Sequence, residues 1–376
     1  MAKKICFVGL DNYPVLNPSK GNEYFGGESV QQTLLAKAFY ELGYEVTMVV
    51  GDYGQPRRET IDGIKVISTF AEDEGVPVLR YVYPRMTSVW SALKEADADV
   101  YFQSCAGVRT GLVARFCKRY NRKFIFRLAH DSDCIPGQQI IPYWRDRKIY
   151  EYGLKRTDLI SAQGVKQVEL LFKNYGLPST PINMTVQLPD TDINNKKDID
   201  ILWVNNLRDF KRPELVPELA KMLPNYNITM IGGAVPGNDE LYNQVKQLAE
   251  KTPNLDFKGV VAYHDINAYF LRSKLFVNTS DWEGFPNSFL QAWIRKVPVL
   301  SFFDPDGLIA SEGLGAVPST LNEMAASCDE ILGDDKKLES IGATSEKFAL
   351  ENYSPVAVAT EYEELLQAEV ASKAYE

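Results

Sequence analysis

The chain has 376 residues, 45% of them hydrophobic and 24% charged, and its formal net charge is −9. This length predicts two domains whose cores are large enough to fold without disulfides or a structural metal. The acidic balance argues against a nucleic-acid-binding protein, and the five scattered cysteines and two histidines argue against a metal centre. No apolar run reaches the ~18 residues of a membrane span, and the apolar stretch 5–10 predicts a buried strand rather than a signal peptide.

Short apolar runs alternate with amphipathic segments of helical length along the chain. The clearest helix is predicted over 27–42, where apolar residues recur four apart before Gly43. Alternating strands and helices predict parallel sheets covered by helices. In chain order, the predicted strands are 4–10, 45–50, 64–69, 99–104, 123–128, 159–162, then 199–205, 227–232, 255–259, 275–278, 297–302 and 316–318.

A polar segment, 188–198, separates the two series of strands and contains a proline but no apolar period. It is the best candidate for a linker, which predicts domains over 1–190 and 196–354. In doubly wound sheets, ligands bind outside the carboxyl ends of the strands. The expected site is therefore a cleft between the two domains.

The segment 109–173 is locally basic, with 14 Lys and Arg residues against six acidic ones. Solvated helix faces are the favoured interpretation of this excess. The alternative is a patch that faces an anionic acceptor or anionic lipid headgroups.

The most specific segment is 280–293, SDWEGFPNSFLQAW, between two predicted strands. It predicts a tight loop and then a helix that starts near Pro286. Glu283 would lie at the carboxyl edge of the sheet, beside the free helix amides of Asn287 and Ser288. A carboxylate next to such amides can bind sugar hydroxyls and phosphate together, and Gln291 lies one turn further along the helix.

Other glycines and cations add to this pattern. The first predicted strand is not followed by GxGxxG, which argues against a nicotinamide or flavin enzyme. Gly26 and Gly27 precede the helix 27–42, where backbone amides can approach an anion or a sugar, although a simple N-cap turn would also explain them. Arg208, Lys211 and Arg212 cluster near a predicted helix start, where cations are unfavourable unless an anion is bound nearby.

These motifs resemble those of the family 4 retaining glycosyltransferases of the GT-B fold, also called group 1 glycosyltransferases. The resemblance covers nearly the whole chain. It rests on the residues Glu283-Gly284-Phe285-Pro286-Asn287 before Pro298-Val299, on Gly26-Gly27, on the segment 204–212, and on His130-Asp131 after a predicted strand. It implies an α/β fold of two Rossmann-like, doubly wound domains that face each other across a cleft, with the C-terminal helix 355–376 packed back on the N-terminal domain.

The resemblance also implies roles for individual residues. Glu283 would contact the hydroxyls of the donor sugar, and Gln291 replaces the second glutamate, which holds the ribose. Lys211 matches the lysine of a basic pair that neutralises the donor diphosphate. Arg208 would replace the arginine of that pair, because the arginine position falls on Asn206.

His130 would contact the donor sugar or its transition state, and together with Glu283, Arg208 and Lys211 it completes the catalytic set. Asp131 and Asp133 are candidates for orienting the acceptor. No metal and no cofactor are expected. The residues expected to bind the donor are Gly26, Gly27, Gly232, Gly233, Val260, Gly284, Phe285, Pro286, Asn287, Ser288 and Gln291.

The predicted function is transfer of a sugar from a nucleoside diphosphate, with UDP or GDP expected, to a hydroxyl of a glycan or lipid-linked acceptor. The family implies retention of configuration, and both a covalent intermediate and same-face attack stay open. The expected location is the cytoplasm, with peripheral membrane contact through the N-terminal domain. One alternative is a silent homologue that binds sugar nucleotides or a partner protein, suggested by Gln291 and Asn206. A sugar-nucleotide epimerase is another.

Overall fold

A computed structural model describes residues 3–17, 27–76, 81–189, 196–234, 239–282 and 285–373. The chain divides into two compact units, Met1–Thr185 with Pro355–Glu376, and Val186–Ser354. Residues 190–195 of the predicted linker lie outside the described residues. Thr185 belongs to the first unit because its backbone N–H and carbonyl both form hydrogen bonds with the side chain of Gln31 (2.6 and 2.7 Å).

The strands follow the order of the sequence. They are β1 (Lys4–Val8), β2 (Glu45–Val50), β3 (Arg58–Ile61), β4 (Ile64–Ser68), β5 (Val100–Ser104), β6 (Lys123–Arg127), β7 (Leu159–Ala162), β8 (Thr180–Pro181), β9 (Ile199–Val204), β10 (Ile228–Ile231), β11 (Leu255–Gly259), β12 (Ser273–Asn278), β13 (Val299–Ser301) and β14 (Gly315–Ala316).

The α-helices lie between and after these strands. They are α1 (Tyr13–Leu16), α2 (Gly27–Glu41), α3 (Thr87–Ala96), α4 (Val108–Tyr120), α5 (Trp144–Leu154), α6 (Val165–Tyr175), α7 (Leu215–Met222), α8 (Asp239–Glu250), α9 (Tyr263–Arg272), α10 (Asn287–Trp293), α11 (Leu308–Ser311), α12 (Leu321–Leu332), α13 (Asp335–Tyr353) and α14 (Pro355–Lys373). The predicted helix 27–42 is confirmed as α2, and Gly43 has the left-handed φ of +86° that suits a residue just past a helix end.

The described strands of the first unit form one sheet in the order β3-β4-β2-β1-β5-β6-β7-β8, parallel except for the β3–β4 pair. In its centre, Phe7 of β1 lies between Met48 of β2 and Phe102 of β5. Separate apolar clusters cover the two faces of this sheet. The central strands are therefore apolar without alternation, as a doubly covered sheet requires.

The sequence missed β3 and β8. β3 has the sequence RETI and lies exposed at the sheet edge, so it lacks the apolar run that marks the central strands. Its signal was the turn Asp62-Gly63, where both residues have a positive φ, since a two-residue Asp-Gly turn is typical of a hairpin. β8 has two residues, too few to produce a pattern.

The last helix, α14, packs with the first unit. Tyr362 of α14 is buried, its ring meets that of Phe102 edge-on (5.5 Å between centroids), and its hydroxyl is hydrogen-bonded to Ser161 of β7 (2.7 Å). At the surface, Lys3 forms an ion pair with Glu363 (2.8 Å). These contacts join the two ends of the sequence within one unit.

The described strands of the second unit form a wholly parallel sheet in the order β11-β10-β9-β12-β13-β14. This is a doubly wound order: the chain adds β10 and β11 on one side of β9, and then returns to add β12, β13 and β14 on the other side. The loops that follow β9 and β12 therefore lie side by side at the carboxyl edge, where such sheets bind ligands. Among the helices of the described residues, none is both long and apolar enough to cross a membrane.

Candidate functional site

Two loops meet at the topological switch point of the second sheet. The β9 loop, residues 205–212, includes a short 3-10 turn. The β12 loop, residues 279–282, leads toward α10. Within the first unit, the loops after β1 and β5 are adjacent in the same way. Among the described residues, those predicted for the site lie on these loops or on the loops and helix that flank them.

A buried hydroxyl joins the β9 loop to the β12 loop. Thr279 accepts a hydrogen bond from the indole N–H of Trp203 (3.0 Å) and donates one to the carbonyl of Lys211 (2.7 Å). The N–H of Asp281 donates to the carbonyl of Phe210 (2.9 Å). These bonds fix the backbone of the segment that carries the basic residues.

Side chains strengthen the same junction. The rings of Phe210 and Trp282 are stacked, with centroids 4.3 Å apart and planes 16° apart, and Trp282 is 60% exposed. Arg212 forms an ion pair with Asp281 (3.0 Å). The ammonium of Lys211 lies 5.0 Å from the centre of the Phe210 ring. The charge of Arg212, one of the three cations predicted to lie near a bound anion, is thus neutralised by Asp281 within the protein.

Arg208 stands at the beginning of the 3-10 turn, as the residue before Asp209. Its side chain is exposed, and within the described part of the chain it forms no ion pair. Arg208 is therefore an exposed cation at the carboxyl edge of this sheet. Lys211 is half-buried beside the aromatic stack.

The glycine loops predicted to contact the donor lie next to the β9 loop. A side chain on Gly232 would clash with the carbonyl oxygen of Asn205, so the two backbones approach as closely as glycine permits. The carbonyl of Gly233 accepts a hydrogen bond from Leu207 (3.0 Å). A side chain on Gly233 would meet that of Val260, which is exposed after β11. Three successive loops thus line one edge.

The segment after the β12 loop divides into parts with different surroundings. Glu283 and Gly284 lie outside the described residues. Phe285 packs against Tyr353, with ring centroids 5.3 Å apart, and Pro286 is buried at the N-cap of α10. The predicted helix start is therefore confirmed.

Phe285 and Pro286 thus contribute packing to the second unit. Asn287 is exposed and Ser288 half-buried in the first turn of α10. The backbone N–H groups of a first helical turn have no partner within the helix. Of the four residues 285–288, Asn287 and Ser288 are therefore the two that can offer polar groups.

Gln291 has a partner that the sequence analysis missed. Its side-chain oxygen accepts a hydrogen bond from Arg295 (2.6 Å), which also donates to the backbone carbonyl of Gln291 (3.1 Å). Arg295 is 5% exposed and donates further to Asn267 of α9 (3.1 Å). The signal was the spacing of four residues, since the turn that follows α10 keeps Arg295 within reach of Gln291.

His130 follows β6 and is exposed at the N-cap of the 3-10 helix Asp131–Cys134. The carboxylate of Asp133 accepts hydrogen bonds from the backbone N–H groups of Ala129 and His130, both 3.1 Å long. Burial raises the pKa of the Asp133 carboxyl. Asp131 forms an ion pair with Lys166 (2.6 Å). Asp133 thus fixes the loop of His130.

Gly27 is the first residue of α2, and Gly26 lies outside the described residues. Next to it, Glu28 forms a pair that the sequence analysis missed. Its carboxylate lies 3.5 Å from buried Arg127 and accepts a hydrogen bond from Gln163 (3.2 Å). The signal was Arg127 itself, a charged residue in an otherwise apolar run. In the first unit, Gly27, Glu28 and His130 thus lie at the carboxyl edge of the sheet.

Comparisons with known proteins place these loops in a wider context. Residues 188–348 match the family model described as "Glycosyl transferases group 1". The O-antigen biosynthesis glycosyltransferase WbnH of Escherichia coli is 30% identical over 207 residues, which are 53% of this chain and 58% of that relative. The probable O-antigen biosynthesis glycosyltransferase WbiN of Escherichia coli matches to the same extent. The chain thus covers less than two thirds of the length of either relative.

Solved structures match over almost the whole chain. The sucrose-phosphate synthase of Thermosynechococcus elongatus has a TM-score of 0.68 at 16% identity and covers 98% of this chain and 100% of its own. HepE of Anabaena, in complex with UDP and glucose, has a TM-score of 0.67 at 14% identity, with coverages of 97% and 100%. The catalytic domain of starch synthase IV from Arabidopsis thaliana, bound to ADP and acarbose, has a TM-score of 0.69 at 12% identity, with coverages of 99% and 100%.

The fold is GT-B. The predicted fold class, two Rossmann-like domains with parallel sheets, is confirmed by these neighbours. Within this GT-B chain, the family match coincides with almost all of the second unit, 186–354. That unit holds the β9 loop, the glycine loops and α10.

Proposed function

We propose that this protein is a glycosyltransferase that moves a sugar from a nucleoside diphosphate to an acceptor hydroxyl. The observation that carries the proposal is the position of Arg208 at the switch point of the second sheet, beside the close backbone approach at Gly232. Cations and closely approached backbones suit a diphosphate. The match of 188–348 to the group 1 glycosyl transferases supports the proposal.

In this proposal, Arg208 and Lys211 stabilise the negative charge that develops on the leaving diphosphate. Two fixed cations can neutralise this charge without a divalent metal. Glu283 would hold the hydroxyls of the donor sugar, and His130 would contact the donor sugar or its transition state. We also propose retention of configuration, following the resemblance to family 4.

The donor is proposed to be a UDP- or GDP-sugar. The structure of HepE was solved with UDP and glucose, and that of starch synthase IV with ADP, so a nucleoside diphosphate suits this fold. Exposed Val260, next to Gly233, offers an apolar surface for a base. The acceptor is proposed to be a glycan or a lipid-linked acceptor, because the names of both relatives place those proteins in O-antigen biosynthesis.

A second candidate is a sugar-nucleotide-binding protein without transferase activity. The observation that favours it is the hydrogen bond from Arg295 to Gln291, which occupies the oxygen that would otherwise face a ribose. Asn206, where an arginine is expected, points the same way. This candidate predicts nucleotide binding without turnover.

Binding and turnover separate the two candidates. Purified protein would be titrated with UDP, GDP and ADP by calorimetry, and then incubated with the sugar of the tightest nucleotide. The transferase proposal expects nucleotide binding and slow release of free sugar, and expects both to persist in EDTA. Binding without any release of sugar would favour the second candidate. If none of the three nucleotides binds, both candidates fail.

A further inference from the structure

An apolar side chain in the first unit is held outward by a well-fixed loop. Ile140 is 72% exposed, although its neighbours Gln139 and Ile141 are buried. The side chain of Gln139 donates a hydrogen bond to the hydroxyl of Tyr175 (2.7 Å), and Arg147 donates to the carbonyl of Ile141 (2.7 Å). The loop thus holds Ile140 in solvent by specific bonds on either side of it.

Two aromatic residues follow Ile140 at the beginning of α5. Tyr143 is the N-cap residue and Trp144 the first residue of the helix. Both are exposed, and Trp144 is 77% exposed. An aromatic ring such as that of tryptophan buries about 150–250 Å² when it packs against a partner. A tryptophan ring left in water therefore lacks a large hydrophobic stabilisation.

A neighbouring segment extends this apolar surface. The hydroxyl of Tyr81 donates a hydrogen bond to Asp146 (3.1 Å), and the guanidinium of Arg145 lies 3.9 Å from the centre of the Tyr81 ring. These contacts hold Tyr81, the residue before Val82, against the first turn of α5. The next residues, Val82 and Tyr83, are exposed. We call Val82, Tyr83, Ile140, Tyr143 and Trp144 the aromatic patch.

The helix α5 and the two residues after it carry a net positive charge, unlike the chain as a whole. Residues 144–156 contain five basic and two acidic residues, while the whole chain has a net charge of −9. Arg145 forms an ion pair with Asp146 (2.8 Å) and Lys148 forms one with Glu151 (2.9 Å). Arg147 instead donates to the backbone carbonyls of Ile141 and Gly137 (2.7 and 3.1 Å). Positive charge therefore lies beside the aromatic patch.

We propose that the aromatic patch docks this protein on an anionic lipid surface. Tryptophan and tyrosine favour the headgroup level of a membrane, and arginine and lysine are attracted to anionic headgroups. Ile140 and Val82 favour a lipid surface over a sugar chain as the partner of the patch, because aliphatic side chains gain most from transfer into an apolar phase. A sugar chain would offer them hydroxyl groups instead.

This proposal goes beyond the transferase activity and does not depend on it. Every residue of the patch belongs to the first unit, and lipid binding can be measured without donor or acceptor. An inactive protein that binds vesicles would leave the docking proposal standing. An active enzyme that ignores vesicles would refute the docking alone.

The test uses the full chain and vesicles of phosphatidylcholine with or without phosphatidylglycerol, separated by flotation. We expect binding to the anionic vesicles that weakens as salt is raised. Trp144→Ala and Ile140→Ser should each weaken it by about tenfold, since each removes one inserted apolar side chain. Lys148→Glu should weaken it about fivefold at low salt and less at high salt.

Phe172→Ala is the matched control, because Phe172 is a 65% exposed aromatic residue of the same unit outside the aromatic patch. It should bind vesicles like the wild type, and unchanged melting temperatures would exclude unfolding as a cause. Equal vesicle binding by wild type and Trp144→Ala would overturn the proposal. Failure of the wild type to bind anionic vesicles would also overturn it. If Trp144→Ala then abolished self-association or the binding of a free oligosaccharide, the aromatic patch would be a site for that other partner.

Discussion

Trp282 stacks on Phe210 across the switch point of the second sheet, with ring centroids 4.3 Å apart. The two residues lie 72 positions apart in sequence, one on the loop after β12 and the other on the loop after β9. Their contact joins the segment that carries Arg208 and Lys211 to the segment that leads to Glu283. The stack thus couples the positions of two parts of the proposed donor site.

Trp282→Ala tests this coupling. Aromatic pairs of this kind are worth ~0.5–1.5 kcal/mol, and the ring is largely exposed, so we expect a small change in melting temperature. Donor affinity should fall by about two- to tenfold because the β9 loop loses a constraint. Calorimetric titration with UDP measures this affinity. Phe172→Ala, which removes an exposed ring of the other unit, should leave the affinity as it is; an equal effect of both variants would contradict the coupling.

Arg208→Ala and Lys211→Ala test the contact with phosphate. Hydrogen bonds to charged groups are worth ~1.5–3 kcal/mol, so each variant should bind UDP about 10- to 100-fold more weakly. Uridine, which has no phosphate, should lose little. Titrations of both ligands give the comparison, with Lys221→Ala on α7 as a control for an exposed lysine. Equal losses for UDP and uridine would mean that these cations do not touch phosphate.

Glu283→Ala tests the proposed contact with the donor sugar. A carboxylate that binds hydroxyls more strongly in the transition state can contribute ~10²–10³ in rate. We expect that loss in transfer rate with an unchanged melting temperature, and Glu312→Ala, at an exposed acidic residue of the same unit, should keep full activity. Turnover close to that of the wild type would remove Glu283 from the site.

Gln291→Glu tests the position at which the chain departs from its family. A carboxylate would make stronger hydrogen bonds to ribose, but Arg295 already holds one oxygen at 2.6 Å. We therefore expect donor affinity to rise by less than the tenfold that two charge-assisted bonds could give. The gain should shrink with a 2′-deoxynucleotide. Gln247→Glu on α8 controls for added charge, and unchanged affinity for both nucleotides would separate Gln291 from the ribose.

Lys197 provides a test of pH dependence in the second unit. Its ammonium donates to the carbonyls of Arg295 and Lys296 (3.3 and 3.2 Å). Burial, with a smaller effect of the Lys296 charge, lowers its pKa to about 8. Above that pH the folded protein releases a proton that the unfolded chain keeps, so the contribution of Lys197 to stability rises with pH.

We therefore compare the free energies of unfolding of wild type and Lys197→Met by urea denaturation from pH 7 to pH 10. The wild type should gain up to about 2 kcal/mol relative to the variant between pH 8 and pH 10. Lys221→Met, at an exposed lysine, should show no such difference. Parallel curves for wild type and Lys197→Met would show that the pKa of Lys197 is not lowered.

The sequence by itself determined most of the strands of this protein and the helices that cover them, although not β3 or β8. Apolar runs, turn residues and helical spacing depend on neighbours along the chain, so α2, its end before Gly43, and the start of α10 after Pro286 could be predicted. The missed strand β3 is consistent with this, because an exposed edge strand needs no apolar run. The same local patterns pointed to the doubly wound class.

Only the tertiary structure decided which charges have partners. Arg212 meets Asp281 because the strand order places the ends of β9 and β12 side by side, and no local pattern contains that order. Asp133 and Asp131 are candidate acceptor-orienting residues from sequence, yet the fold gives the first to backbone amides and the second to Lys166. Exposure was likewise decided by the tertiary structure. Isoleucine is a typical core residue, yet the bonds that fix its loop hold Ile140 in solvent.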